Sequence, residues 1–239
     1  MASFPKFKLS EPHRNGAWLR DVILGGQDGL VNVLGLVLGV ATALPNAHIV
    51  IISGLAATFA ESISMAAVAY TSSRAVKDVY DAEFAREVKE VKEIPAAERE
   101  EIREIYRRKG FKGKDLEKIV KVICSNKKVW IDTMMAEELH LYKEDHGNPT
   151  RVAAVVGFAS LIGSLIPLAP FFFFPVQQAV LYALAISTIV LFAGGFVKAK
   201  LTIGSPMRSG FEVAIIGIVA AIAGYLIGSV LGASPLAVG

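Results

Sequence analysis

Five long apolar runs dominate this chain, and most of its charge lies between the second and third. The runs fall at roughly 22–44, 48–72, 152–174, 176–197 and 211–231. Each reaches the roughly 20 residues that a membrane-spanning helix needs. None carries the polar stripe of a surface helix, and a helix apolar on all sides is buried in protein or in lipid. Five such helices leave too few polar residues to cover them all, so lipid is the expected surrounding. The first run is too long for a cleaved signal peptide, contains Asp28, and is followed by four more. Phe171 to Pro175 reads as a tight turn between the third and fourth runs, because proline ends one helix and lets the next begin.

The polar gap also reads as helical. The second helix continues without a breaker to Ile94, where Pro95 stops it. A short helix follows from about Ala97 to Lys109 and is closed by Gly110, with Arg107, Arg108 and Lys109 suited to the negative end of its dipole. Gly113 and Asp115 open a third helix, predicted to run through Lys143. The expected fold is thus an all-α membrane protein: five transmembrane helices with a three-helix domain inserted between helices 2 and 3, which the family resemblance given below implies to be a cytoplasmic metal-binding domain. The expected divisions are an N-terminal segment over 1–20, helices 1–2 over 21–74, the inserted domain over 75–147, and helices 3–5 over 148–239.

Composition agrees with a membrane protein. Hydrophobic residues make up 53% and charged residues 20% of the chain, with mean hydropathy +0.49, which excludes a disordered, collagen-like or disulfide-built protein. A net charge of +3 is too small to argue for a nucleic-acid partner. The lone Cys124 can form neither an intrachain disulfide nor a CxxC zinc site. Distribution says more: 17 of the 22 acids lie between Asp78 and Asp145, so the five outside stand out. The basic loops hold Lys6, Lys8, Arg14 and Arg20 before the first span, and Lys198, Lys200 and Arg208 after the fourth. The other short connections carry no charge. The positive-inside rule then places the N-terminus and the inserted domain in the cytoplasm, and the C-terminus outside or in a lumen. The short tails fit a prokaryotic plasma membrane.

An ionisable residue inside a span is costly and marks a functional site by default. Asp28 lies about two turns into the first span, with Asn32 one turn further on its face and Asp21 two turns back. Glu61 sits near the middle of the second span, with Met65 at i+4. Carboxylates suit Mg²⁺, Ca²⁺ or Mn²⁺; a thioether beside them favours a later transition metal such as Fe²⁺. Met65 read alone is better explained by packing. In the inserted domain Glu90 and Glu93 are i, i+3, as are Glu101 and Glu104, while Met134 and Glu138 are i, i+4. Such pairs share a helix face and either meet a cation or form ordinary salt bridges with Lys89, Lys92, Arg99 and Arg103. Glu137 and His140 form a single ExxH element, short of the two that a ferritin-like di-iron site requires. The spacing Gly25-x3-Gly29, Gly35-x3-Gly39 and Gly224-x3-Gly228-x3-Gly232 allows close helix approach, within one bundle or across a dimer seam.

The run from Asp21 to Leu30, DVILGGQDGL, resembles the first-span signature of the vacuolar iron transporter family. The resemblance continues through Ser64-Met65, Tyr70, Glu90, Glu93, Pro95, Glu101, Glu104, Tyr106, the stretch Trp130 to Glu138, Pro167 to Pro170, and Lys198 to Gly210. It implies a homodimeric exporter of cytosolic Fe(II), and of Mn(II) as the alternative substrate, coupled to protons moving the other way, with the ion path between spans at the dimer axis. Co(II) or Zn(II) are further ions that the cytoplasmic domain could take. It assigns the transport path to Asp21, Asp28, Asn32, Glu61 and Met65, and metal binding to Glu90, Glu93, Glu101, Glu104, Met134 and Glu138. Ala57 stands where some members carry a span-two glutamate, leaving Glu61 as its substitute, and Ala17 replaces an entrance acid. The competing reading is a membrane-anchored metal store or sensor. No nucleophile–base pair, phosphate loop or dinucleotide motif suggests an enzyme.

Overall fold

A computed structural model describes residues 17–142, 148–202 and 204–232. Its helices are α1 (Ala17–Ala43), α2 (Ala47–Glu93), α3 (Pro95–Arg108), α4 (Gly113–Cys124), α5 (Lys127–Glu137), α6 (Pro149–Leu168), α7 (Val176–Leu201) and α8 (Pro206–Gly232). The chain divides into two compact units, residues 1–67 with 153–239, and residues 68–152.

The first unit holds α1, the start of α2, nearly all of α6, and α7 and α8. Five helices are long and apolar enough to cross a membrane. Helix α2 is 47 residues long, about 70 Å, against a hydrocarbon layer of about 30 Å. Its apolar part, roughly 48–72, is by itself long enough to cross that layer, and its charged part begins at Arg74. The outward surface of the unit is greasy: Ile63, Phe158, Ile162, Ile189 and Val230 are each more than 60% exposed. Water would penalise that surface, whereas lipid tails accept it. Inside, Val33, Leu34, Val37 and Leu38 of α1 pack with Val50, Leu168, Phe171, Ala179, Ala183 and Ala221.

Glycine sets how closely these helices meet. A side-chain carbon at Gly29 would lie 3.0 Å from the Ser160 carbonyl carbon, and one at Gly39 would lie 3.0 Å from the Gly224 oxygen. The first glycine pair of α1 therefore faces α6, and the second faces α8. The glycines of α8 meet Gly35, Gly39 and Ala43 in return. These motifs are used within one chain. Between spans, Asn46 accepts from the His48 amide at 2.9 Å and caps α2. Pro167 and Pro170 end α6 in a 3-10 turn, Ala169–Phe172, and Pro175 precedes α7.

The second unit combines the charged end of α2 with α3, α4 and α5. Its core gathers Val91, Ile102, Ile105, Leu116, Val120, Ile123, Trp130, Ile131, Met134 and Met135. Pro95 opens α3 directly after α2, since its missing N–H costs nothing in a first turn. The single helix expected from Gly113 through Lys143 is instead two helices, broken at Ser125–Asn126. Asn126 takes an extended conformation and its side chain accepts from the amides of Lys128, at 3.0 Å, and Val129. Asparagine competes with the helix for backbone groups, so it favours a cap over a helix interior. The break lets Leu116, Val120 and Ile123 of α4 and Trp130, Ile131 and Met134 of α5 enter one core. Helix α5 ends at Glu137; the far end of the expected helix, at Lys143, lies outside the described residues.

Candidate metal centres

The clearest chemistry in the second unit is a buried group of acids. Oxygens of Glu87, Glu90 and Glu98 all lie within 4.8 Å of one another. Glu87 and Glu90 share a face of α2 one turn apart, and Glu98 comes from the first turn of α3 across the Pro95 corner. Glu87 and Glu98 are each 2% exposed, and one oxygen of each has no hydrogen-bond donor. A buried carboxylate oxygen without a partner is expensive. The nearest cation is Arg86, 3.8 Å from Glu87 and 3.6 Å from Glu90, but it also holds Glu83 at 2.8 Å and is itself half exposed.

The electrostatics follow from that crowding. Burial, then the charges of Glu138 and Glu90, push the Glu87 carboxyl up to about 7, with Arg86 opposing. Burial, then Glu101, Glu87, Glu90 and Glu138, push Glu98 up to about 7 as well. Glu138 is raised by burial and by Glu101. Five acids thus feel one another, from α2, α3 and the residue after α5. Hard oxygen ligands clustered without enough counter-charge are what a divalent cation neutralises.

Of the metal residues expected from sequence, Glu90 is in the cluster, and Glu101 and Glu138 lie within its field. Met134 is fully buried in the same unit's core. Glu93 is not brought in: its side chain is 59% exposed and pairs with Lys89 at 3.8 Å. Glu104 pairs with Arg107 and with Arg108 at 3.9 Å on the outer side of α3. Sequence reasoning missed Glu87 and Glu98. Their signal was present: each lies one turn before a buried apolar residue, Val91 and Ile102.

The first unit brings together a second group. Asn32 of α1 donates through its side-chain nitrogen to Glu61 Oε1 of α2 at 2.8 Å. The Asp28 carboxyl interacts with the same Glu61 group. Met65 is half-buried, one turn further along α2 on the Glu61 face. Asp21 is 5% exposed and pairs with Arg20 at 3.2 Å.

Five apolar helices, two of which bring Asp28, Asn32 and Glu61 together within their spans, and a helical unit that holds a further acidic cluster define a multi-pass membrane protein equipped to handle metal ions. The comparisons agree. Residues 19–229 match the VIT family. The chain is 32% identical over 217 residues to vacuolar iron transporter 1 of Arabidopsis thaliana, covering 90% of this chain and 87% of that protein. It is 32% identical to vacuolar iron transporter 1 of Tulipa gesneriana, covering 87% and 84%. It is 34% identical to the vacuolar iron transporter of Toxoplasma gondii, covering 92% and 77%. The chain belongs to the VIT family. That is a family of membrane transporters and not of enzymes, and the chain is a metal transporter.

Proposed function

We propose that the protein exports cytosolic Fe(II), with Mn(II) as the alternative substrate, in exchange for protons. The observation that carries this reading is the group formed by Asp28, Asn32 and Glu61 inside the spanning helices. A mere anchor has no use for acids there. The relatives' names, all vacuolar iron transporters, support iron as the cargo. Met65, one turn from Glu61 on the same face of α2, adds soft sulfur near hard oxygen, which favours Fe(II) over Mg(II).

The second unit is cytoplasmic, as the basic loops argue, and collects metal on Glu87, Glu90 and Glu98, with Glu101 and Glu138 beside them. Ions pass to Asp21 and then to Asp28, Glu61 and Met65. A carboxylate must be deprotonated to bind metal, so metal and protons compete for the same groups. Antiport follows when the site faces the two sides in turn. Two copies act together, because Asn32 is exposed on the single chain although it lies in a spanning helix. Lipid would leave the part of that amide not used in its bond to Glu61 facing hydrocarbon, whereas a second copy covers it.

The test is metal flux into proteoliposomes with an acidic interior, following internal metal and internal pH together. Wild type should take up Fe(II) and alkalinise the interior. Asp28→Ala should stop both while the protein still binds metal at Glu87, Glu90 and Glu98. Metal bound without entry in wild type would instead favour an anchored store or sensor.

A further inference from the structure

Two neighbouring hollows open on the side of the first unit, at the end bearing the start of α1 and the end of α7. One, of about 290 Å³, is a slot walled by α1, α6, α7 and α8, with Gly26, Ala159, Gly163, Leu191, Gly194 and Val213 among its lining. The other, of about 550 Å³, includes Arg20, Asp28, Lys198 and Thr202. Ile23, Gln27 and Lys198 border both, so the two adjoin.

Gly194 deepens the slot for no reason of helix packing. A side-chain carbon there would meet nothing within 4 Å, whereas one at the adjacent Gly195 would lie 3.0 Å from the Gly210 Cα. Glycine weakens a helix interior by about 1 kcal/mol relative to alanine, so at 195 the cost is offset by close approach and at 194 it leaves an open apolar channel. Lys198 is one turn from Gly194 on the same face of α7, at the mouth of that channel. It makes no ion pair with any described acid. Arg20 is shared with Asp21, which makes Lys198 the principal free positive charge. Asp28 borders the wider hollow about 12 Å deeper along α1 than Arg20, away from the mouth.

We propose that this groove binds an acidic phospholipid, its phosphate on Lys198 and Arg20 and an acyl chain in the slot over Gly194. An apolar channel in the membrane layer with a basic mouth at the interface complements that molecule in both shape and charge. Basic pockets between spanning helices are general sites for anionic headgroups. A zwitterionic lipid offers the same chains without the net charge.

Native mass spectrometry of the intact protein in detergent, with phosphatidylglycerol and phosphatidylcholine of identical chains, tests it. Phosphatidylglycerol should be retained preferentially. Lys198→Gln should reduce that preference by about fivefold, the effect of one interfacial charge. Lys200→Gln, outside the groove, should leave it unchanged. Gly194→Leu should fill the slot and lower retention of both lipids without lowering the melting temperature. Equal retention of the two lipids by wild type, or an unchanged preference in Lys198→Gln, would overturn the proposal. So would loss of the preference on adding millimolar inorganic phosphate, which would mark a site for the free ion. Disruption of a dimer by Gly194→Leu with lipid retention unchanged would also overturn it, since a second copy would then cover the slot.

Discussion

Replacing Glu98 by glutamine tests the buried acidic cluster most directly. Glu98 is 2% exposed, has an orphaned oxygen, and titrates near 7 instead of 4.5. Its place in the first turn of α3 attracts its charge by about 0.3–1 kcal/mol through the helix dipole, which is too little to offset burial beside four other acids. A rise from 4.5 to about 7 corresponds to about 3 kcal/mol. The folded state keeps a proton that the unfolded state has already lost between those two values. Stability without metal therefore falls as pH rises through the window from 4.5 to about 7, and the loss is complete above it. Glu98→Gln has no such loss. At about pH 8 with chelator it should be more stable than wild type by about 2–3 kcal/mol, and at about pH 5 nearly equal to it. Trp130 lies in the core of this unit, 4% exposed. Its fluorescence during heating, in a Trp18→Phe background, reads the unit directly. Mn(II) at about a hundredfold its Kd should raise wild-type stability by about 2.7 kcal/mol and the variant's by much less. A variant no more stable than wild type at high pH, or an equal response to Mn(II), would refute the reasoning.

Three further outcomes follow from the same structure. Calorimetric titration with Mn(II) should show affinity reduced at least about tenfold in Glu87→Gln, as loss of a charged ligand requires, while Glu93→Gln with Glu104→Gln stays within about twofold. Asn126→Ala should cost the second unit about 1 kcal/mol through the lost cap, seen as a lower melting point by Trp130 fluorescence; no change would mean that α4 and α5 are held apart by packing alone. Gly228→Ala should lower thermal stability by about 1–3 kcal/mol, since its new carbon would lie 3.0 Å from the Gly39 Cα, whereas Gly194→Ala should not destabilise the protein.

The spans were legible because length and apolarity suffice to define them, and no polar period competes within 48–72 or 211–231. The stops at Pro95 and Pro175 were legible for the same local reason. The break at Asn126 was not, because one asparagine in a helical pattern is tolerated unless the segments on both sides must turn inward. That requirement is tertiary: it comes from Ile123 and Trp130 packing into one core. The partners of the glycine motifs were likewise invisible. Gly25 and Gly35 look alike in sequence, yet one faces α6 and the other α8.

The acidic cluster shows where pattern reading fell one turn short. Glutamates recur at steps of three, 87, 90 and 93 on α2 and 98, 101 and 104 on α3. Helical residues advance about 100° each, so a step of three drifts back by about 60°. Across two steps the drift is about 120°, and the three acids of each set cannot all face inward. Spacing alone left two registers equally good. The buried apolar neighbours separate them. Val91 lies about 40° from Glu87 around the helix and about 160° from Glu93. Ile102 stands in the same relation to Glu98 and Glu104, and Ile105 lies about 20° from Glu98. The acids nearest those directions are the ones that the fold buries, and the farthest ones end in salt bridges with Lys89, Arg107 and Arg108. Paired carboxylates in a helix are therefore read most securely from the apolar residues they share a face with, because burial makes a carboxylate demand a cation while spacing only makes two carboxylates neighbours.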